Sequence, residues 1–252
     1  MSNKGANIIK SVACALFWIG VWALLSLIVN KSVIIPSPFA TVERLWELLG
    51  SGDFYLACLF SLGRVFLGFL SGVMIGTALA ALSQIGAEFM ISPAVSVIKA
   101  TPVASIIIVM LFFLKRDVVP VTATLLMVVP IIYSNVLSGI RSVPKEKREV
   151  AQIYRFGLGK TMRYCILPSA MPYFSAGVKT AVGIAWKAGV AAEVLCTPKT
   201  SIGSALWDAK TYLESEDLFA WTLAVVLISI VIEKIIVAGI SKLTGGRDNV
   251  RA

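Results

Sequence analysis

Histidine is absent from the 252 residues, which removes the commonest general base and metal ligand. Acidic residues are also scarce, 14 against 23 Lys and Arg, and they form no cluster suited to paired-carboxylate chemistry. The four cysteines, Cys14, Cys58, Cys165 and Cys196, have no metal-like spacing and lie mostly in or beside apolar runs, so they read as packing residues. No metal site is expected. A phosphate-binding loop is missing too: Gly159-Lys160-Thr161 ends like one, but the pattern needs a glycine five positions before Gly159, where Tyr154 stands. The chain is therefore not expected to bind ATP or to act as an enzyme.

What it has in abundance is apolar sequence. Hydrophobic residues make up 58% and the mean hydropathy is +0.86, well above soluble proteins, in which about half the residues are apolar. This predicts an all-α integral membrane protein with lipid as its surroundings. The net charge of +9 does not point to nucleic acid, because the basic residues collect near helix ends and in one loop without interleaved aromatics. Six spans are predicted: 12–29, 56–82, 93–114, 118–140, 173–195 and 218–240. Lys4 and Lys10 precede the first, which is read as a retained helix rather than a signal peptide because no small-x-small cleavage site follows. Both termini are then cytoplasmic. The proline pair Pro36 and Pro38 interrupts the chain, and Val42, Leu45, Trp46 and Leu49 predict a short amphipathic helix at the outer interface. Gly68, Gly72 and Gly76 recur every four residues, a spacing that lets a second helix approach closely.

The longest basic segment is Arg141 to Pro172. It is too long for a mere turn. Pro144 opens a helix whose first turns hold Glu146 and Glu149, a break is expected around Gly157 and Gly159, and a second short helix ends at the Ile166-Leu167-Pro168 stop. The product is a knob suited to docking into another protein.

Glu149-Val150-Ala151, followed at a fixed distance by Ile166-Leu167-Pro168, resembles the EAA loop of permease subunits of binding-protein-dependent ABC importers. The proline pair, Ser61-Leu62-Gly63-Arg64-Val65, Pro130, Asn135 and Gly139, and Ile202-Gly203 extend the resemblance along most of the chain, toward the nitrate, sulfonate and taurine branch. It implies a type I importer permease fold. It also implies ATPase coupling through Glu149, Ala151, Gly157, Gly159, Ile166, Leu167 and Pro168, with ATP and Mg in the partner subunit, an extracytoplasmic solute-binding protein, and a homodimer of permeases in the inner membrane. Arg155 stands where the family has its glycine, which predicts that the helix break shifts toward Gly157. The implied cargo is a small sulfonate, taurine, nitrate or a pyrimidine vitamin precursor.

Inside the spans, Thr101 and Pro102 suggest a kink, read either as part of the translocation path or as kink packing. Trp186 and Glu193 match a tryptophan and a glutamate of the same branch, share a helix face and are assigned with Lys187 to the translocation path; Glu193 either pairs with a basic group or reaches water at the outer helix end. Lys187, deep in the fifth span, either attracts an anion or serves a structural ion pair, and Lys179 is close enough to the end to snorkel. Arg64 must likewise snorkel or find a partner. The domain reading is 1–55 for the first helix and the interface helix, 56–243 for the permease domain with its coupling loop 141–172, and 244–252 for the tail. An ion-gradient-driven secondary transporter is the alternative, but it predicts inverted repeats and several intramembrane carboxylates, which are not seen.

Overall fold

A computed structural model describes residues 3–243; the tail 244–252, with Arg247 and Arg251, lies outside the described residues. These residues hold eleven α-helices and no strand. The chain runs through α1 (Asn3–Val29), α2 (Pro38–Leu49), α3 (Gly52–Leu82), α4 (Glu88–Ala100), α5 (Val103–Phe113) and α6 (Val119–Arg141). It continues through α7 (Lys145–Ile153), α8 (Leu158–Thr161), α9 (Leu167–Cys196), α10 (Ile202–Thr211) and α11 (Ser215–Leu243). Serine hydroxyls cap three of them, Ser37 accepting from the Ala40 amide, Ser51 from Phe54 and Ser201 from Ser204. Each satisfies an amide that the first helical turn leaves without a partner.

The core is a sandwich of α3, α6 and α9. A Cβ on Gly68 would lie 2.4 Å from the Val121 carbonyl oxygen, one on Gly72 2.7 Å from the Val128 Cβ, and one on Gly76 2.9 Å from the Ile132 Cβ. The four-residue spacing thus brings α3 onto α6 backbone to backbone, as expected. Gly139 and Gly177 do the same on the other side of α6, against Ala170 and Asn135. Around these contacts Val128, Ile132, Tyr133, Val136, Ala181, Val182, Ala185 and Trp186 form the main apolar cluster.

Among the described residues four stretches are long and apolar enough to cross a membrane, by length and composition, against the six spans predicted: Val12–Val29, Gly52–Ala100, Val119–Arg141 and Ser215–Ile240. The second is α3 and α4 together, bent at Ile85 and Gly86, where Gly86 has φ 103°, a conformation that favours glycine. The third predicted span is not one kinked helix but two, because Thr101 and Pro102 are both extended (ψ 128° and 129°). A residue before proline avoids the helical region, and proline offers no amide to continue the ladder.

Three further points differ from the sequence reading. Ile166-Leu167-Pro168 is not a stop: a π turn over Met162–Ile166 carries the chain into α9, whose first turn accommodates Pro168 and whose interior includes Pro172. The segment between the fifth and sixth predicted spans, given no structure of its own in the sequence reading, contains a ten-residue helix, α10. The break after α7 does not shift to Gly157 either. Arg155 itself adopts φ 48°, and the Phe156 amide reaches back to the Ala151 carbonyl at 2.8 Å, closing the helix end as a glycine would. Gly157 and Gly159 meet open space and neither has positive φ.

Gly72→Ala is expected to lower stability by about 1–3 kcal/mol through overpacking against Val128. Gly63→Ala, whose new methyl meets nothing within 4 Å, is expected to be neutral or slightly stabilising. Thermal unfolding of the two variants in detergent separates these outcomes.

Candidate functional site

The basic segment after α6 folds into a small body of its own. Pro144 starts α7, and Ala151 is buried on Val143 and Cys165, with Phe156 and Ile166 packed against them. Two hydrogen bonds tie this body together: the Arg148 guanidinium donates to the Ile140 carbonyl at 3.3 Å, and the Cys165 thiol to the Lys147 carbonyl at 3.7 Å. Of the seven coupling candidates, Ala151 and Ile166 meet in this small core, whereas Glu149, Gly157, Gly159, Leu167 and Pro168 are exposed. Beside them Ile153, Tyr154 and Tyr164 are 75%, 72% and 61% exposed, and Glu146, Lys147, Val150, Phe156, Tyr164 and Cys165 line a cavity of about 300 Å³. Apolar and aromatic side chains standing out on a charged surface mark an interaction site. The end of α6 that carries the body is joined to α4, since Arg141 pairs with Glu88.

At the opposite end of α6 lies a polar clamp. Glu193 is fully buried, and its carboxylate accepts from the Ser61 hydroxyl at 2.6 Å, the Gly203 amide at 3.3 Å and the Arg64 guanidinium at 3.1 Å. Arg64 also donates to Asp117 at 2.8 Å, to the Lys199 carbonyl at 3.0 Å and to the Thr200 carbonyl at 3.3 Å. One carboxylate and one guanidinium therefore fasten α3, α9, α10 and the α5–α6 turn to each other. Gly203 is required here, because a Cβ on it would lie 2.2 Å from the Glu193 Cβ. A buried charge pair persists only when its remaining hydrogen-bonding positions are filled, as they are at Glu193.

This arrangement revises the reading of the fifth span. Glu193 does not reach water at the helix end; it pairs with Arg64, which resolves the placement of both residues. Trp186, 1% exposed, donates its indole N–H to the Val225 carbonyl of α11 at 3.1 Å and points into the core. Neither side chain reaches the protomer surface. Lys187 does, within an exposed stripe of α9 that includes Ile184, Ala191 and Leu195. Thr101 is half-buried, its hydroxyl spent on the Val97 carbonyl, and Pro102 is exposed at the break between α4 and α5. Close by, the Lys99 ammonium donates to the Ser134 hydroxyl at 2.7 Å. Sequence reasoning missed Ser61, Asp117 and Gly203 as partners; the available signal was an arginine inside a span, which must find acceptors.

Comparison with known proteins places this geometry. Residues 65–240 match the family described as binding-protein-dependent transport system inner membrane component. A putative aliphatic sulfonates transport permease of Bacillus subtilis is 27% identical over 208 residues, covering 80% of this chain and 74% of that protein. A bicarbonate transport system permease of Synechococcus elongatus is 27% identical over 221 residues, 82% of this chain and 79% of that protein. A nitrate import permease of the same species is 27% identical over 213 residues, 79% and 75%. Among solved structures, an amino acid ABC transporter chain superposes with a TM-score of 0.59 at 17% identity, covering 74% of this chain and 90% of that one, which supports the fold alone.

Arg64→Met leaves Glu193 buried without its cation and is expected to cost about 3–5 kcal/mol of stability. Asp117→Asn removes only the exposed arm of the clamp and is expected to cost less than about 1 kcal/mol. Thermal unfolding in detergent checks the order, and equal losses would remove Glu193 from the centre of the clamp.

Proposed function

Because the chain belongs to the family of binding-protein-dependent transport system inner membrane components, we propose that it forms, with a second copy of itself, the path by which a small anion enters the cell. It is a multi-pass permease subunit and not an enzyme, and ATP hydrolysis belongs to a separate subunit of the importer. Family membership also selects the ATP-driven reading over the ion-gradient-driven one.

The body formed by α7, α8 and the π turn is the docking element for that ATPase, which holds the ATP and Mg. The exposed Ile153, Tyr154 and Tyr164 around the 300 Å³ cavity support this reading. ATP binding draws two such ATPases together, and each carries its docked body with it. Motion passes into the membrane because Arg148 ties the body to the end of α6 and Arg141 ties α6 to α4. A rigid element that binds differently in two states is sufficient to shift an equilibrium between them. Both termini then lie on the ATPase side, with Lys10 before the first span and Lys242 at the end of the last.

The anion reading is carried by Lys187, exposed on α9 nine residues before its outer end, or about 14 Å at 1.5 Å per residue. An ammonium at such depth normally faces a cavity or a partner. Exposed Ile108, Phe112 and Phe113 on α5 and the Lys187 stripe on α9 are the surfaces offered to the second permease. The functions named for the relatives, sulfonate, bicarbonate and nitrate transport, support a small oxyanion delivered by a solute-binding protein.

Glu149→Lys is expected to lower co-purification of the ATPase subunit while leaving the unfolding temperature unchanged, since Glu149 is exposed; an unaltered yield of complex would contradict the docking role. Lys187→Ala is expected to reduce anion uptake on the order of tenfold. A unit charge about 10 Å from an anion contributes about 1.7 kcal/mol at an effective dielectric of about 20. Equal loss of anion uptake and of basal ATP hydrolysis would make Lys187 a packing residue.

A further inference from the structure

Helix α2 has three sides, and one of them is unaccounted for by the transport reading. At about 100° per residue, Thr41, Leu45 and Leu48 point one way; Thr41 is buried and the two leucines pack on the main core. Arg44, on the edge of that side, pairs with Asp217 at the start of α11. Glu43 and Glu47 occupy a second, exposed side. Phe39, Val42 and Trp46 form the third, and they are 78%, 56% and 77% exposed. A helix lying wholly in water has no use for an exposed side of this kind.

The hydrogen bonds from α1 fix the depth of this helix. The Trp22 indole N–H donates to the Pro36 carbonyl at 3.1 Å, and the Ser26 hydroxyl to the Ile35 carbonyl at 3.0 Å. Trp22 lies seven residues before the end of α1, about 10 Å inside the apolar stretch Val12–Val29, and its ring stacks on Phe219 of α11 at 5.8 Å. The chain therefore folds back after α1 and starts α2 alongside the outer ends of the spans, not beyond them. Those hydrogen bonds hold the start of α2 beside the end of α1, where Leu27 and Ile28 are also exposed.

We propose that Phe39, Val42 and Trp46 insert into the outer lipid interface, making α2 a membrane-embedded brace for the start of α11. The occupant is the zone between acyl chains and headgroups, where a tryptophan places its apolar body in one and its N–H in the other. Attraction is through area rather than charge, since the acids flank the water side and the inserted side carries none. A docked solute-binding protein is the competing occupant, disfavoured by the depth.

The test uses the full chain with its ATPase subunit in phosphatidylcholine vesicles. In a Cys14→Ser background, which removes the exposed native thiol, single cysteines at Phe39→Cys, Trp46→Cys and Glu43→Cys carry a nitroxide. Labels at 39 and 46 are expected to collide with oxygen over a water-soluble nickel chelate at a ratio several-fold above that at 43. A ratio at 39 and 46 equal to that at 43 would overturn the proposal. So would loss of access to both quenchers at 39 and 46 on adding the solute-binding protein, which would assign the face to that partner. Should the labelled chains fail to assemble, quenching by phosphatidylcholine brominated high on its acyl chains gives the same reading. The wild-type chain is expected to lose more fluorescence than Trp46→Phe, and equal quenching would refute insertion.

Discussion

The structure depends on helices that touch through backbone. In a bilayer the apolar side chains gain little by leaving lipid for protein, so association rests on close packing over the contact. Gly68, Gly72 and Gly76 remove the side chains that would hold α3 away from α6, while Gly139 and Gly177 do so for α9. The central helix is thereby held on both sides. Other elements attach to this three-helix slab: α5 through Ile107 and Met110, α11 through Trp221 and Ala224, and the body of α7 and α8 through α6.

A slab held so closely transmits displacement instead of absorbing it, because packed interiors deform little. That property suits a permease whose ATPase and solute-binding partners act at opposite ends. The two ends are built differently. The Glu193–Arg64 clamp holds a fully buried carboxylate whose two oxygens are both hydrogen-bonded, whereas the body after α6 rests on a small apolar core and leaves charged and aromatic residues exposed. One end is closed on itself and the other presents apolar side chains at the surface. Between them the α4–α5 break at Thr101 and Pro102 divides one predicted span into two pieces, α4 tied to the docking end by Glu88 and α5 packed toward the outer end of α9.

Much of this was legible in the residues. Apolar runs located α1, α3, α6 and α11, the glycine spacing announced the α3–α6 contact, and the basic segment around Glu149 marked the part of the chain that folds as a small body of its own. The rest needed three dimensions. Periodicity cannot say whether Pro102 kinks a helix or divides it, nor that Pro168 and Pro172 sit within α9, since proline is tolerated in a first turn and, within membranes, in an interior. The left-handed conformation at Arg155 went against the preference for glycine, because the Ala151 to Phe156 closure and the apolar packing of Phe156 hold the residue there. Whether Glu193 pairs with a basic group or reaches water stayed open in the sequence, because Ser61 and Arg64 lie more than 120 residues away and the Gly203 amide carries no side-chain signal. Lys187 kept its place at the surface where Trp186 and Glu193 turned inward.

The most direct test of the account is ATP-dependent uptake by proteoliposomes holding the permease, its ATPase and its solute-binding protein, offered labelled nitrate, bicarbonate, a short alkanesulfonate, taurine and a neutral pyrimidine. The account predicts uptake of one of the small anions that requires both ATP and the solute-binding protein. Uptake of the pyrimidine alone, or of any anion without ATP, would contradict it.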